Sequence, residues 1–232
     1  MIENNIKFQP KLPVKKSNPL VVFFSFIFYC LTTVLVIFLV LKFVVYQQVT
    51  VEGKSMYPNY DDNQMLLMNQ LDKSFHRGQV VATFAEREVA RDANYFTRFK
   101  AKFYLKRIIG LPGEEIEMVN DKVIIYNAEY PDGAVLQESY LSNTANQSML
   151  KNKFRFARTK VGANEYFLMG DNRPNSLDSR IVGTFADFEI FGQENVRVLP
   201  IETFHIFSLP EYVFQPIDPT TKESLASNSL RI

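Results

Sequence analysis

The pattern of hydrophobic positions begins with a long apolar run near the start of the chain. Residues 20–41 read LVVFFSFIFYCLTTVLVIFLVL, with no charged residue and only Ser25, Thr32 and Thr33 plainly polar. A helix of 22 residues is about 33 Å long, which matches a bilayer core of about 30 Å. The alternative is a helix buried in a globular domain, but the run is apolar all round. We predict a transmembrane helix at 20–41.

The residues before this helix indicate its orientation. Lys7, Lys11, Lys15 and Lys16 precede it, against one acidic residue, Glu3. The positive-inside rule therefore predicts a cytoplasmic tail at 1–19 and an extracytoplasmic location for everything after the helix. A cleavable signal peptide is the other interpretation, but the apolar run is too long for one and no small-x-small site follows it. We predict a single-pass anchor in the cell membrane.

Behind the anchor the pattern changes to short β-branched and aromatic runs bounded by Gly, Asn, Asp or Pro. These runs are VVYQQVTVEG, QVVATF, KVIIYNAEY, NEYFLMGD and FHIFSL. Such runs are typical of strands, and helical periodicity is scarce after residue 60. The predicted fold class is mainly β: a transmembrane helix, then an antiparallel β domain at 42–217 with at most one short helix. The polar segment 127–164 is interpreted as an insertion or long hairpin, and 218–232 as a flexible tail.

The composition of the chain argues against several kinds of site. The net charge of +1 gives no indication of nucleic-acid binding. A single cysteine, Cys30, excludes an intrachain disulfide, and the two histidines, His76 and His205, have no metal-ligand spacing. We therefore predict no metal and no cofactor.

One serine lies in a turn-prone stretch shortly after the anchor, EGKSMYPNY at 52–60. Most serines in turns are structural, and Ser55 can act as a nucleophile only if a nearby base takes its proton. The two histidines are candidate bases, but His76 lies in a polar turn and His205 alternates within a predicted strand, so each is more simply structural. A lysine can serve instead if burial keeps its amine neutral.

A lysine in apolar surroundings occurs in KFYLKRIIGLPGEEIEM. On a strand, Tyr104, Lys106 and Ile108 share one face, while Arg107 points to the other and can reach a carboxylate. A solvent-exposed lysine on a half-buried strand is the alternative interpretation.

A third stretch, LMGDNRPNSLDSR at 168–180, concentrates acids, arginines and serines. A solvated loop is the simplest interpretation. The stretch can also form its own polar network, with Asp171 and Asp178 accepting from Arg173 and Arg180. Ser176 can then orient the lysine amine, as a third group does in other catalytic triads.

Together these stretches resemble the bacterial type I signal peptidase (leader peptidase) family, membrane-anchored serine proteases with a Ser-Lys dyad. KSMYP is similar to the family's S-M-x-P box, YLKRIIGLPGE to its lysine box, and GDNRPNSLDSR to its G-D-N-R-x-N-S-x-D-S-R box. RGQVVATF is similar to the intervening G-D-x-V-x-x box, with Gln79 in place of Asp. The boxes follow the family's order and cover most of residues 49–185.

The resemblance implies roles for residues that match these boxes. Ser55 would be the nucleophile and Lys106 the general base. The residues that would support the site are Ser176, Asp178, Arg180, Asp171 and Arg107. The residues that would line the substrate pockets or pair with the substrate strand are Met56, Tyr104, Leu105, Val49 and Val51. The oxyanion hole would involve the Ser55 amide and the position of Gly53, where some members carry a serine, and its second donor stays open.

Two further departures from the family pattern are Asn59 in place of Thr and Pro174 in place of Asp. Neither position is expected to touch the reaction.

The function that the resemblance implies is cleavage of signal peptides from exported preproteins after small residues, of the A-x-A type, through an acyl-enzyme. The expected partners are these preproteins and the lipid bilayer, with no nucleic acid. One alternative is a signal-peptidase-like factor dedicated to processing or assembly of surface or pilus proteins. Others are a self-cleaving regulator of the SOS-repressor type, which shares the catalytic fold, and an anchored binding module.

Overall fold

The computed structural model describes residues 18–92, 101–141 and 155–218, and the statements below concern these residues. The chain divides into two compact units, residues 1–42 and residues 43–232. Most of the predicted tail at 1–19 and most of the one at 218–232 lie outside the described residues.

The first unit contains the long helix α1, Pro19–Val40, followed by a π-helical turn, Leu41–Val45. Asn18 caps its first turn by accepting a hydrogen bond from the Leu20 amide, and Pro19 suits the first helical position because no hydrogen bond is lost there. No residue of α1 is buried. Among the described residues it is the one helix long and apolar enough to cross a membrane. The predicted helix is confirmed as an apolar helix to within one residue at each end, and its crossing of a membrane stays a prediction.

The second unit is built mainly from antiparallel strands, which confirms the predicted fold class. The strands of the first sheet are β1 Tyr46–Thr50, β2 Met65–Asn69, β3 Val80–Phe84, β4 Phe103–Gly110, β9 Glu165–Met169, β10 Phe185–Ala186, β11 Ile190–Leu199 and β12 His205–Ile206. The strands of the second sheet are β5 Glu115–Val119, β6 Lys122–Tyr126, β7 Ala134–Gln137, β8 Phe156–Lys160 and β13 Val213–Pro216. Two short helices, α2 Arg87–Asp92 and α3 Ser179–Val182, exceed the one that the sequence predicts.

The sheet order places β4 in the interior of the first sheet. Its order is β1-β2-β11-β3-β4-β9-β10, with β12 beside β11, and that of the second sheet is β13-β7-β6-β5-β8. Strand β4 pairs with β3 from Phe103 to Arg107, whereas β9 joins its other edge only from Arg107 onward. Lys106 therefore lies directly before the point at which β4 becomes paired on both edges.

The polar segment 127–164 does not fold as one long hairpin. Its strand β7 pairs with β6 and β13 in the interior of the second sheet, and its strand β8 pairs with β5 at the edge. Ala134, Val135 and Leu136 of β7 are buried. Because β7 and β8 pair with other strands and not with each other, the hairpin alternative does not hold for the described residues, and the insertion alternative stays a prediction. Residues 142–154 lie outside the described part.

Candidate active site

The structure brings Ser55 and Lys106 into direct contact, although 51 positions separate them in the chain. Ser55 is half-buried in the turn between β1 and β2, and Lys106 projects from β4 with 2% of its surface exposed. The distance between Lys106 Nζ and Ser55 Oγ is 3.0 Å, and Nζ also donates to the carbonyl of Leu105 at 2.9 Å. A hydroxyl and an amine at this distance can exchange a proton.

The surroundings of Lys106 favour its neutral form. Burial lowers the pKa of the amine from 10.5 to about 8, while the charges of Asp178 and Asp171 act in the opposite direction and that of Arg180 lowers it. Burial dominates because removing an ammonium from water costs more than distant carboxylates restore. Near pH 8, a large fraction of the amine can accept a proton.

The turn that carries Ser55 is tied to the loop after β9. The backbone amide of Asn172 donates to the Ser55 carbonyl at 2.9 Å, and its side-chain amide donates to the Lys54 carbonyl at 2.9 Å. A Cβ at Gly170 would overlap the Ser176 hydroxyl and would lie 2.5 Å from the Ser55 carbonyl oxygen. Only glycine allows this approach. Asn172 belongs to the motif loop, but the sequence pattern gave it no role.

Asp171 and Arg107 form a buried two-point ion pair behind this turn. Arg107 Nη2 and Nε lie 2.7 and 2.9 Å from the two carboxylate oxygens, and the side-chain amide of Asn59 donates to the same carboxylate at 2.8 Å. Burial alone would lower the pKa of Arg107, but the charge and hydrogen bonds of Asp171, together with Tyr140 and Tyr60, outweigh it and the pKa is raised. The carboxylate expected for Arg107 from strand alternation is therefore that of Asp171.

Asp178 and Arg180 form a second pair in the same loop, at 2.8 Å. Burial would raise the pKa of Asp178, but the bonds and charge of Arg180 and the bond from the Gly170 amide hold it below its ordinary value. The Ser176 hydroxyl is buried, yet no described group meets the distance and angle of a hydrogen bond to it. The bond from Ser176 to Lys106 that the resemblance implies is thus not formed in this structure.

Arg173 has a different partner from the one expected. The motif predicts an acid of its own loop as the partner, but the Arg173 guanidinium binds both carboxylate oxygens of Glu138, which follows β7. Nothing in the sequence marks Glu138, because it lies in a polar segment without a motif. This expectation was wrong, since the nearby acids are occupied by Arg107 and Arg180.

Four of the five predicted substrate-contact residues share one apolar cluster. Val49, Val51, Met56 and Leu105 are all buried in it, and Val49 lies on β1, whose outer edge has no strand partner among the described residues. Tyr104 differs, with 45% of its surface exposed and its ring centre 5.4 Å from Lys106 Nζ.

The backbone around Ser55 restricts the possible oxyanion donors. The Gly53 amide donates to the Asp62 carboxylate at 2.9 Å, so it is not available to a substrate. The Ser55 amide has no acceptor among the described residues. Sequence reasoning did not identify Asp62.

The remaining candidates lie apart from this chemistry. His76 and His205 are exposed, and the side chain of Gln79 accepts a hydrogen bond from the His76 amide at 2.7 Å. A cavity of about 520 Å³ lies beside α2 and contains none of the predicted site residues. In the part of the chain that the structure describes, no group of three His, Cys, Asp or Glu side chains could hold a metal ion.

Comparison with known proteins identifies the family. The sequence model described as signal peptidase, peptidase S26, matches residues 24–199. Signal peptidase I P of Bacillus subtilis subsp. natto is 34% identical over 179 residues, which cover 74% of this chain and 86% of that protein. This chain belongs to the signal peptidase family. The predicted family and enzyme class, a peptide-bond hydrolase of the signal peptidase I type, are confirmed.

Other relatives carry related names. Signal peptidase I S of Bacillus subtilis (strain 168) is 33% identical over 175 residues, covering 71% of this chain and 83% of that protein. The crystal structure of a signal peptidase I from Enterococcus faecalis is 27% identical and covers 52% of this chain and 96% of that one, with a TM-score of 0.38.

Proposed function

We propose that this chain is a membrane-anchored serine endopeptidase that removes signal peptides from exported preproteins after small residues. The observation that carries the proposal is the 3.0 Å contact between Lys106 Nζ and Ser55 Oγ, with the amine buried. A lysine in water is protonated at neutral pH and cannot act as a base, so burial gives this one its function.

The proposed reaction begins with proton transfer from Ser55 to the neutral amine of Lys106. Ser55 Oγ then attacks the carbonyl of the scissile bond, and the lysine ammonium returns its proton to the leaving amine as the acyl-enzyme forms. Lys106, neutral again, activates a water molecule that hydrolyses the ester and releases the signal peptide. Protons balance over the cycle, because the Lys106 amine accepts one proton and gives one back in each of the two steps.

The Ser55 amide is the proposed first oxyanion donor. The Gly53 amide is bound by Asp62, and a serine hydroxyl is absent at that position. Losing one such donor typically costs about 10²–10³ in rate. We therefore propose that a group other than the Gly53 amide donates the second hydrogen bond to the oxyanion.

The supporting residues have the proposed task of fixing the dyad. Arg107 and Asp171 hold β4 against the loop after β9, and Asp178 and Arg180 close that loop. Ser176, buried between this loop and the Ser55 turn, is proposed to orient the amine during the reaction.

The substrate is proposed to bind in extended form beside Ser55. The outer edge of β1 and the edge of Phe103–Leu105 on the β9 side of β4 carry no strand partner among the described residues. An added strand would satisfy these backbone groups. Small side chains at −1 and −3 of the substrate are proposed to bind against the cluster that contains Met56 and Leu105.

Helix α1 is proposed to hold the enzyme in the cell membrane, with its N-terminus cytoplasmic and the catalytic unit outside. The lysines before the helix support this orientation.

The test is cleavage of a peptide with an A-x-A site by the purified full chain in detergent. Ser55→Ala and Lys106→Ala are each expected to lower kcat/KM by at least about 10³-fold, because neither nucleophile nor base can be replaced. Lys122→Ala, which removes an exposed lysine on β6, should leave the rate unchanged. Retained cleavage in either dyad variant would overturn the mechanism.

A further inference from the structure

The segment 138–140, directly after β7, contacts three parts of the candidate active site. It lies in the polar region that showed no motif, and its residues come from the second sheet. Its contacts reach the loop at 170–180, Arg107 on β4, and the turn that carries Ser55. A segment with these three contacts can set the relative positions of the parts of the site.

Glu138 holds the loop through Arg173. Both carboxylate oxygens bind the guanidinium, and the two side chains are 7% and 1% exposed. Arg173 in turn joins the two ends of the loop: its Nε donates to the Gly170 carbonyl at 3.1 Å, and its own carbonyl accepts from Arg180 Nη2 at 2.7 Å. The position of Arg173 therefore affects both Gly170, which packs on Ser55, and Arg180, which pairs with Asp178.

Tyr140 connects the same segment to the other two parts. Its hydroxyl donates to the Glu138 carboxylate, and its ring centre lies 4.2 Å from the guanidinium carbon of Arg107. Its carbonyl accepts from the Asn59 side-chain amide at 3.0 Å, and the same amide reaches Asp171. Asn59 lies four positions after Ser55 in the same turn.

We propose that Glu138 and Tyr140 are positioning residues of the peptidase, which fix the loop at 170–180 against Ser55 and Lys106 from the second sheet. The inference rests on the proposed function of that dyad. Without the Glu138 carboxylate, the buried Arg173 charge loses its compensation, and the loop relaxes to solvate it. A small displacement of Gly170 and Asn172 then moves Ser55 relative to the amine, and reaction rates are sensitive to shifts of this size.

The test compares three variants of the full chain in detergent, with kcat, KM and the thermal midpoint measured for each. Glu138→Gln keeps the side-chain length and removes the charge, and Tyr140→Phe keeps the ring and removes the donor. The control is Glu189→Gln, which breaks another two-point pair, between buried Glu189 and the more exposed Arg87, that has no contact with the dyad. Its thermal midpoint should fall, as that of Glu138→Gln does.

The expected kinetic result is a lower kcat with little change in KM. Glu138→Gln should lower kcat by about tenfold and Tyr140→Phe by about threefold, because the dyad is misaligned by a fraction of an ångström. KM should stay within about twofold, since the substrate-contact cluster does not include the segment. Glu189→Gln should keep kcat within about twofold. A kcat for Glu138→Gln within twofold of the unaltered chain, or an equal loss in Glu189→Gln, would overturn the proposal.

A second readout separates this inference from the proposed function. Phosphonylation of Ser55 by a small fluorophosphonate, in which Oγ bonds to phosphorus and fluoride leaves, reports nucleophile alignment without peptide recognition when it is followed by mass spectrometry. If the unaltered chain is labelled but does not cut the peptide, the proposed substrate is wrong, while slower labelling of Glu138→Gln still supports the positioning role. Equal labelling of both chains would contradict that role.

Discussion

Lys106 shows how one residue couples burial to reactivity. Its pKa falls from 10.5 to about 8 because burial outweighs the attraction of Asp178 and Asp171. A fall of this size corresponds to on the order of 3 kcal/mol of stability. Because the folded-state pKa is the lower one, this cost is full below pH 8 and disappears above about 10.5, where the unfolded lysine is neutral too. The fold therefore sustains a destabilised amine at neutral pH.

The pH dependence of cleavage should follow from this pKa. Only the neutral amine accepts the Ser55 proton, so kcat/KM should rise about tenfold per pH unit below the midpoint and level off above it. We expect the midpoint at about 8. Initial rates between about pH 6 and 10, on a peptide without titrating side chains, measure it.

A histidine base would give a different pH profile of kcat/KM, with a midpoint at about 6.5. His76→Gln and His205→Gln provide the control, because both residues are exposed and neither contacts the dyad. Both variants should reproduce the profile of the unaltered chain. Loss of the midpoint from the pH profile of kcat/KM in either variant would show that the base is not Lys106.

At the scale of elements, the decisive contact is the approach of the loop after β9 to the Ser55 turn. Gly170→Ala should reduce kcat/KM by at least about 100-fold, because the new Cβ would overlap the Ser176 hydroxyl and would press on the Ser55 carbonyl. It should also lower the free energy of unfolding by about 1–3 kcal/mol, the usual cost of overpacking. Peptide cleavage and chemical denaturation measure the two effects.

Gly113→Ala is the matched control for this substitution. Gly113 has a φ of +84°, and no atom lies within 4 Å of the position that a Cβ would occupy, so alanine meets backbone strain but no clash. It should cost about 1 kcal/mol of stability and leave kcat/KM unchanged. If both alanines reduced the rate equally, the contact at Gly170 would not be the cause.

The sequence predicts elements whose pattern is local. The apolar run of α1, the strand around Lys106 and the motif loop were each recognisable from neighbouring residues, and so were the two residues of the dyad. The pairing of Arg173 was not, because Glu138 lies 35 positions away on another sheet. The bond between Gly53 and Asp62 depends on the conformation of the turn, which no periodicity encodes.

Other differences have the same origin. The run FHIFSL forms only the two-residue strand His205–Ile206, because β11 offers it two paired positions at its far end. The interior strand β7 was missed because its apolar run is only three residues long and its second partner, β13, lies far along the chain. Both outcomes depend on which strands pair, and a single sequence does not show that.

At the scale of the whole molecule, the chain joins an apolar helix to a β unit that carries all the proposed chemistry. No residue of α1 is buried, and the residues of the dyad belong to the second unit. Under the proposed function, the helix therefore contributes by anchoring the enzyme and not through chemistry. A membrane-inserted substrate and a membrane-anchored enzyme share a thin layer, so the local concentration of each around the other is raised.

A chain that begins at Phe43 should separate chemistry from location. On a short soluble peptide its kcat/KM should stay within about twofold of the full chain, because both residues of the proposed dyad belong to the second unit. On a preprotein inserted in lipid vesicles, its rate should fall at least about tenfold, since enzyme and substrate no longer share the bilayer. Replacing residues 19–40 by an unrelated apolar helix of equal length is the control and should restore the vesicle rate, because only anchoring is required.

A shortened chain that cleaves both substrates as fast as the full chain would show that the anchor plays no part in catalysis. A shortened chain that cleaves neither substrate would show that the helix supports the β unit itself.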